Sequence, residues 1–255
     1  MHNGKGLRFP LKAITYQQGS INQDLIKDTV CEVFIESDDT TVLMGSHVTL
    51  PQLYGHRIMR EHGNYLAFLL DERQLQQMSR QEEIFSLDGD NQFWFVKHMD
   101  LGDVTVLLYV PRNDSDDALY RDMAAGHREL SINGISVNIA SPEHVLSEMI
   151  RRGSYRIGFE KDPYSQGDAI DASLLMVSPY FNGRSPINGV ALSSLLGQYV
   201  CDGCNFDREH GIGCLSALAE PQDLRNDEKM VYRREVARLS DRLKKYCLAL
   251  KADRR

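Results

Sequence analysis

Apolar residues in the first part of the chain recur at helical spacing and then at strand spacing. Ser20 and Gln23 form a capping box. The apolar positions after it repeat every three or four residues, at Leu25, Ile26, Val30, Val33 and Phe34. This pattern predicts a helix over residues 21–36. The apolar run 41–44, which follows a polar turn, predicts a short buried strand.

More strands and helices are predicted as far as residue 152. Apolar runs of strand length occur at residues 65–70, 84–87, 93–96, 104–110 and 130–139. The last run contains Asn133-Gly134, a dipeptide typical of tight hairpins. Helices are predicted at residues 71–83, 116–123 and 141–152, the last with its N-cap at Ser141 and its end at Gly153. The alternation predicts a mixed α/β domain over residues 20–155, preceded by an N-terminal arm over residues 1–19.

The remaining residues, 156–255, are predicted to form a mostly helical region, and the polar stretch 160–168 connects it to the α/β domain. The clearest helix is C-terminal, where successive apolar residues are 4, 3, 4, 3 and 4 positions apart. These residues are Tyr232, Val236, Leu239, Leu243, Tyr246 and Leu250. Their spacing places all of them on one side of a helix. The predicted fold class is therefore α/β, a mixed sheet with flanking helices followed by a mostly helical region.

Length and composition exclude several classes of protein. A chain of 255 residues is long enough for one large domain or two small ones. Its longest apolar runs are far shorter than the roughly 18–20 residues that a membrane-spanning helix needs, and no apolar signal sequence is visible. Five cysteines, an odd number, do not make a disulfide scaffold and favour a reducing compartment. We therefore expect a cytoplasmic protein without a membrane partner.

The net charge of −7 averages two unlike parts of the chain. Residues 225–255 carry 11 basic and 5 acidic residues, a net charge of +6, which leaves −13 for residues 1–224. Two interpretations of the basic C-terminal helix stay open. It packs on an acidic body and leaves a solvated basic face, or it binds nucleic acid or an acidic protein partner.

Three segments of the α/β domain resemble one known family. The strand 42–44 ends in Gly45-Ser46, Arg60 and Asn64 precede the next strand, and a Ser141-Pro142-Glu143 helix follows a later one. This order resembles the nucleotidyltransferase fold of the minimal and abortive-infection (AbiEii-like) families over roughly residues 20–155. The resemblance implies that backbone groups of Gly45 and Ser46 receive nucleotide phosphates, with Arg60 and Asn64 beside them in the ligand site.

The metal-binding acids of that family are degenerate in this chain. The family pattern Arg-x-Thr-x-Asp-x-Asp aligns its two aspartates with Asn64 and Leu66, and the third acid falls at Thr105, with Asp103 nearby. A lysine of the family's later helix is Met149 here. Two-metal phosphoryl transfer needs converging carboxylates to hold its Mg²⁺ ions. The resemblance therefore implies a degenerate protein that binds a nucleotide, a nucleic acid or a protein. The alternative is an active transferase that uses Mg²⁺ and Asp103.

Four residues that ligate soft metals lie close together in the helical region. Cys201, Cys204, His210 and Cys214 have the spacing C-x2-C-x5-H-x3-C. Three thiolates and an imidazole can fill the tetrahedral coordination of a structural zinc ion. A redox C-x-x-C pair and unmetallated thiols are the alternatives that stay open.

A second resemblance concerns the basic segment at residues 151–156. Arg152 and Arg156 have the Arg-x-x-x-Arg spacing of PilZ receptors, which implies cyclic di-GMP binding. Those receptors also carry a Ser-containing motif on a strand, for which residues 191–197 are the nearest segment. A basic helix C-terminus that complements the helix dipole is the alternative. The sequence leaves the oligomeric state open.

Overall fold

The structure is a computed structural model that describes residues 23–37, 41–44, 65–87, 91–114, 117–156, 172, 174–177, 179–180, 183, 185–201 and 224–253. These residues belong to two compact units, one ending at Ser141 and one continuing from Pro142. The helix that begins at Pro142, which the sequence assigns to the α/β domain, therefore belongs to the second unit.

The first unit contains a mixed sheet. Among the described residues its seven strands are β1 (Val42–Met44), β2 (Tyr65–Leu69), β3 (Phe85–Ser86), β4 (Gln92–Met99), β5 (Gly102–Tyr109), β6 (Arg128–Ile132) and β7 (Ile135–Ile139). Their order across the sheet is β3-β4-β5-β2-β1-β7-β6. β1 is antiparallel to β2, whereas β2 pairs in parallel with β5 and β1 pairs in parallel with β7. The predicted mixed sheet is confirmed.

Helix α1 (Gln23–Ser37) covers one face of this sheet with its apolar side. Phe34 of α1 meets Phe68 of β2 edge to face, with 6.0 Å between ring centroids. Val30, Val33 and Leu43 are fully buried beside them. Each such burial contributes about 1.5–3 kcal/mol relative to an exposed side chain. The helical spacing of the sequence thus places the core of this unit correctly.

Helix α2 (Glu72–Met78) begins with a capping box, in which Asp71 accepts from Gln74 N and Gln74 accepts from Asp71 N. It ends at Met78, so the predicted extension to residue 83 is wrong.

Helix α3 (Ala118–Ala125) packs Tyr120 on Tyr109 of β5, with 4.6 Å between ring centroids. Between β6 and β7, Asn133 and Gly134 have φ angles of 51° and 82°, which confirms the predicted hairpin turn.

The described residues of the second unit are mostly helical, which confirms that prediction. They form α4 (Pro142–Arg156), α5 (Gly189–Leu196), a π-turn (Gly197–Cys201) and α6 (Asn226–Asp253). The predicted end of α4 at Gly153 is wrong, because one glycine costs a helix only about 1 kcal/mol. Asn188 caps α5 by accepting from Val190 N and Ala191 N at 3.1 and 3.3 Å.

The structure bears on two predictions, one about membranes and one about PilZ receptors. No helix in the described part of the chain is both long and apolar enough to cross a membrane. Residues 191–196 belong to α5 and 197 opens the π-turn, so the strand that the PilZ resemblance requires is absent from this segment. Arg152 and Arg156 lie in the last turns of α4. The PilZ interpretation is therefore corrected to a basic helix C-terminus.

Candidate functional site

One end of the sheet carries the described residues that adjoin, in sequence, the positions that the family resemblance singles out. Met44, the residue before Gly45, pairs with Ala67, and Ala67 pairs with Leu107 of β5. Tyr65, the residue after Asn64, pairs with Thr105. The C-terminal end of β1 and the N-terminal ends of β2 and β5 therefore meet at the same edge, which is where the sequence places the ligand site.

The register also decides which side chains share a face at this edge. Residues paired across parallel strands point the same way, and neighbours along a strand alternate. Leu66 therefore shares its face with Val104 and Val106, and all three are fully buried on the side that α1 covers. Asp103 and Thr105 lie on the opposite face. The alignment that placed Leu66 and Thr105 in one metal site is thus corrected.

Asp103 has a partner on the neighbouring strand. Its carboxylate lies 2.8 Å from Nδ1 of His98, its cross-strand partner on β4. Both side chains are largely in solvent, 64% and 78% exposed. Within the residues that the structure describes, no three His, Cys, Asp or Glu side chains converge on a metal position.

An acidic cavity of about 380 Å³ opens between α1 and the turn that joins β4 to β5. Its lining residues are Leu25, Asp28, Cys31, Glu32, His98, Met99, Asp100 and Leu101. Asp28 accepts a hydrogen bond from Asn133 Nδ2 at 3.0 Å. Among the described residues, three carboxylates and no lysine or arginine line this cavity, so its local charge opposes a triphosphate.

A buried lysine lies beside this cavity. Nζ of Lys97, whose side chain is 11% exposed, donates to Glu36 at 2.5 Å and to Glu82 at 2.6 Å. Glu32, which also lines the cavity, is 3.3 Å away. Burial lowers the pKa of Lys97, but the hydrogen bonds to Glu36 and Glu82 outweigh it and leave the pKa above its ordinary value. This ion cluster ties α1, β4 and the segment after α2 together.

Sequence reasoning missed the cavity and the ion cluster, although both leave a signal in the sequence. Asp24, Asp28, Glu32 and Glu36 are each four residues apart, so they form an acidic stripe on α1. Lys97 interrupts the apolar strand β4 on the face toward α1. A lone cation within a strand, opposite an acidic helical stripe, indicates a buried ion pair.

Most of the predicted site residues lie outside the described part of the chain. This holds for the nucleotide-binding set Gly45, Ser46, Arg60 and Asn64. It also holds for Cys204, His210 and Cys214 of the predicted zinc site, whereas Cys201 is the last residue of the π-turn. Both assignments stay predictions.

Cys31 lines the cavity but is a poor nucleophile. Its thiol is buried and donates to the carbonyl oxygen of Ile132 at 3.4 Å. Burial, aided by the charge of Asp28, raises the pKa of the thiol. We expect native Cys31 to react with iodoacetamide at pH 8 on the order of a hundredfold more slowly than glutathione. Peptide mass spectrometry measures this rate, and modification as fast as glutathione would contradict the burial described here.

Comparisons with known proteins leave the family open. No family model matches the chain, and no curated protein sequence matches it. One solved structure that is similar is described as an antigenic nucleotidyltransferase-like protein from Paracoccidioides brasiliensis. It is 20% identical, the match covers 71% of this chain and 90% of that chain, and the TM-score is 0.40. A TM-score this low assigns neither a family nor an activity.

Proposed function

We propose that the chain is a catalytically degenerate nucleotidyltransferase-like protein that acts as a binding or regulatory module for a nucleotide, a nucleic acid or a protein. One observation carries this proposal. Leu66 of β2 stands where the family pattern has its second aspartate. On β5, the side chains that share its face are those of Val104 and Val106, and all three are fully buried.

Phosphoryl transfer explains why this observation matters. Two Mg²⁺ ions hold the attacking oxygen and neutralise the triphosphate, and carboxylates on adjacent strands must hold those ions. Leucine and valine offer no ligand atom, and a metal would be costly to bury among them. Asp103 is the carboxylate that β5 contributes at this edge, and it points to the other face toward His98.

A labelling assay tests the proposal. The full chain is incubated with each nucleoside triphosphate carrying a labelled α-phosphate, with Mg²⁺ or Mn²⁺, and with nucleic acid and protein acceptors. We expect no transfer above the level of a heat-denatured sample. Asp103→Asn serves as the control, because it removes the acid on which the active alternative depends. Robust labelling that this substitution abolishes would establish an active transferase instead.

The ligand site of the proposed module consists of Gly45, Ser46, Arg60 and Asn64. Support comes from the sheet topology, which brings the strand ends next to these residues to one edge. Backbone N–H groups after a strand and an arginine bind phosphate without a metal ion. We therefore propose that nucleotide binding, where it occurs, is independent of Mg²⁺.

We also propose a structural zinc ion held by Cys201, Cys204, His210 and Cys214, in a cytoplasmic protein whose thiols stay reduced. The support is the residue types and their spacing, since four ligands would fill the tetrahedral coordination and leave no open catalytic position. Elemental analysis of protein purified without chelators tests this proposal. One zinc per chain, lost in Cys204→Ser, is the expected result.

A further inference from the structure

The C-terminal helix α6 has a buried apolar side and an exposed basic side. Tyr232, Leu239 and Leu243 are buried along one side. Five basic residues are exposed, namely Arg233, Arg234, Arg242, Lys244 and Lys245. Among the side chains that the structure describes, two acids of α6 are also exposed, Asp227 and Asp241, and their negative charges offset part of the positive charge. The outer surface of α6 is therefore cationic, although the chain as a whole is acidic.

Two further acids of α6 are buried and neutralised by local partners. Glu228, fully buried, accepts from Arg225 N at 2.9 Å and from Arg225 Nη2 at 2.8 Å. Glu235, 1% exposed, accepts from the Tyr180 hydroxyl at 2.5 Å and from Arg238 Nε at 2.8 Å. Because these carboxylates face inward and are paired, they offset little of the positive charge on the outer side.

The exposed cations occur as two pairs that lie in register. Arg233 and Arg234 precede Lys244 and Lys245 by 11 residues. Eleven residues make just over three helical turns, so both pairs lie on the same face, about 16 Å apart along the axis. Arg234 is held in place by its position over the Tyr180 ring, 4.7 Å from the centroid. The helix thus presents two clusters of positive charge on one face.

We propose that this face of α6, defined by Arg233, Arg234, Lys244 and Lys245, binds the phosphate backbone of double-stranded DNA. The match is one of charge, because lysine and arginine contacts to phosphate supply most of non-specific DNA affinity. The inference rests on the proposed function, within which it selects nucleic acid as the partner.

Other polyanions fit this face less well. Single-stranded nucleic acid is bound with stacked aromatic side chains. Among the side chains described, the exposed side of α6 has no aromatic residue of its own, and the neighbouring Tyr180, 37% exposed, has its ring covered by Arg234. An anionic membrane requires a continuous apolar stripe. Here Met230 and Leu248, 67% and 57% exposed, are about 27 Å apart with Asp241 between them. The B-form major groove admits an α-helix, whereas the narrow major groove of duplex RNA does not.

Fluorescence anisotropy with a labelled 20-base-pair DNA duplex tests this proposal, using the full chain without nucleotide. With four phosphate contacts, the logarithm of the binding constant should fall with the logarithm of salt concentration with a slope of about −3.6. Lys244→Gln with Lys245→Gln should weaken binding roughly tenfold at 0.1 M salt and make the slope shallower by about 1.8. Asp241→Asn, which removes an exposed acid from the same face, should tighten binding roughly threefold.

The control pair is Arg73→Gln with Arg80→Gln, which changes the net charge equally at exposed positions of the first unit. We expect it to leave DNA binding within twofold of the parent. Equal weakening by the control, absence of DNA binding, or tighter binding to single-stranded DNA, duplex RNA or phosphatidylserine vesicles would each overturn the proposal. None of these results involves transfer, so the labelling assay and this titration fail independently.

Discussion

We expect the replacement of Lys97 by methionine to lower the free energy of unfolding by about 3–5 kcal/mol, the usual cost of breaking a buried ion pair from one side. Methionine keeps most of the side-chain volume, so the loss comes from charge rather than from a cavity. Glu36 and Glu82, whose side chains are 16% and 19% exposed, lose their cation together. Glu36 also has one buried oxygen, Oε2, that makes no hydrogen bond to any residue that the structure describes. Urea unfolding followed by circular dichroism measures the change.

Lys27→Met is the matched control for this substitution. Lys27 lies 3.7 Å from Asp24 within α1, in a pair that includes a 78% exposed carboxylate. Such a pair contributes less than about 1 kcal/mol. The double variant Lys97→Met with Glu36→Gln should recover part of the loss, because it removes one of the uncompensated charges. If the Lys97→Met protein were as stable as the control, the Lys97 ammonium group would not be needed to compensate the charges of Glu32, Glu36 and Glu82.

The substitution Asp117→Ala has the second-largest expected effect, about 2–4 kcal/mol, since hydrogen bonds to a buried charge are lost. Asp117 is 4% exposed and accepts from the Tyr109 hydroxyl, from Arg112 N at 2.6 Å and from Asn91 Nδ2 at 3.1 Å. It thereby joins the start of β4, the end of β5 and the first turn of α3. Burial, with the hydrogen bond to Asp117, raises the pKa of Tyr109, so this hydroxyl stays a donor.

Asp114→Ala provides the comparison for Asp117→Ala. Asp114 is exposed and accepts one hydrogen bond, from Asp117 N at 3.0 Å. Its loss should cost about 0.5–1.5 kcal/mol, as for a single ordinary hydrogen bond. Thermal and urea unfolding of both variants against the parent give the two values. Equal values would mean that the three donors around Asp117 find other partners when its carboxylate is removed.

The sequence predicts the elements of the first unit well because their signals are local. The helical apolar repeat of α1, the apolar strand runs and Asn133-Gly134 each act over a few residues. The sequence places the end of α4 at Gly153, too early, because the cost of this glycine within a helix is small. A single glycine is weak evidence for the end of a helix when the residues before and after it both favour helix.

The candidate site was harder to predict because it depends on pairing between distant strands. Residues 66 and 105 are 39 positions apart, and a shift of one residue in the pairing reverses every side chain. The pairing of Tyr65 with Thr105 separates Leu66 from Asp103. The Lys97 cluster likewise joins three elements that no short motif connects.

Metal binding tests the degenerate site most directly. Mn²⁺ replaces Mg²⁺ in two-metal sites, and electron paramagnetic resonance counts bound Mn²⁺ in the presence of a non-hydrolysable nucleoside triphosphate. A degenerate site predicts no Mn²⁺ bound by the chain beyond what the nucleotide holds in solution, with identical titrations for the parent and Asp103→Asn. One or two tightly held Mn²⁺ ions per chain, lost in Asp103→Asn, would contradict it.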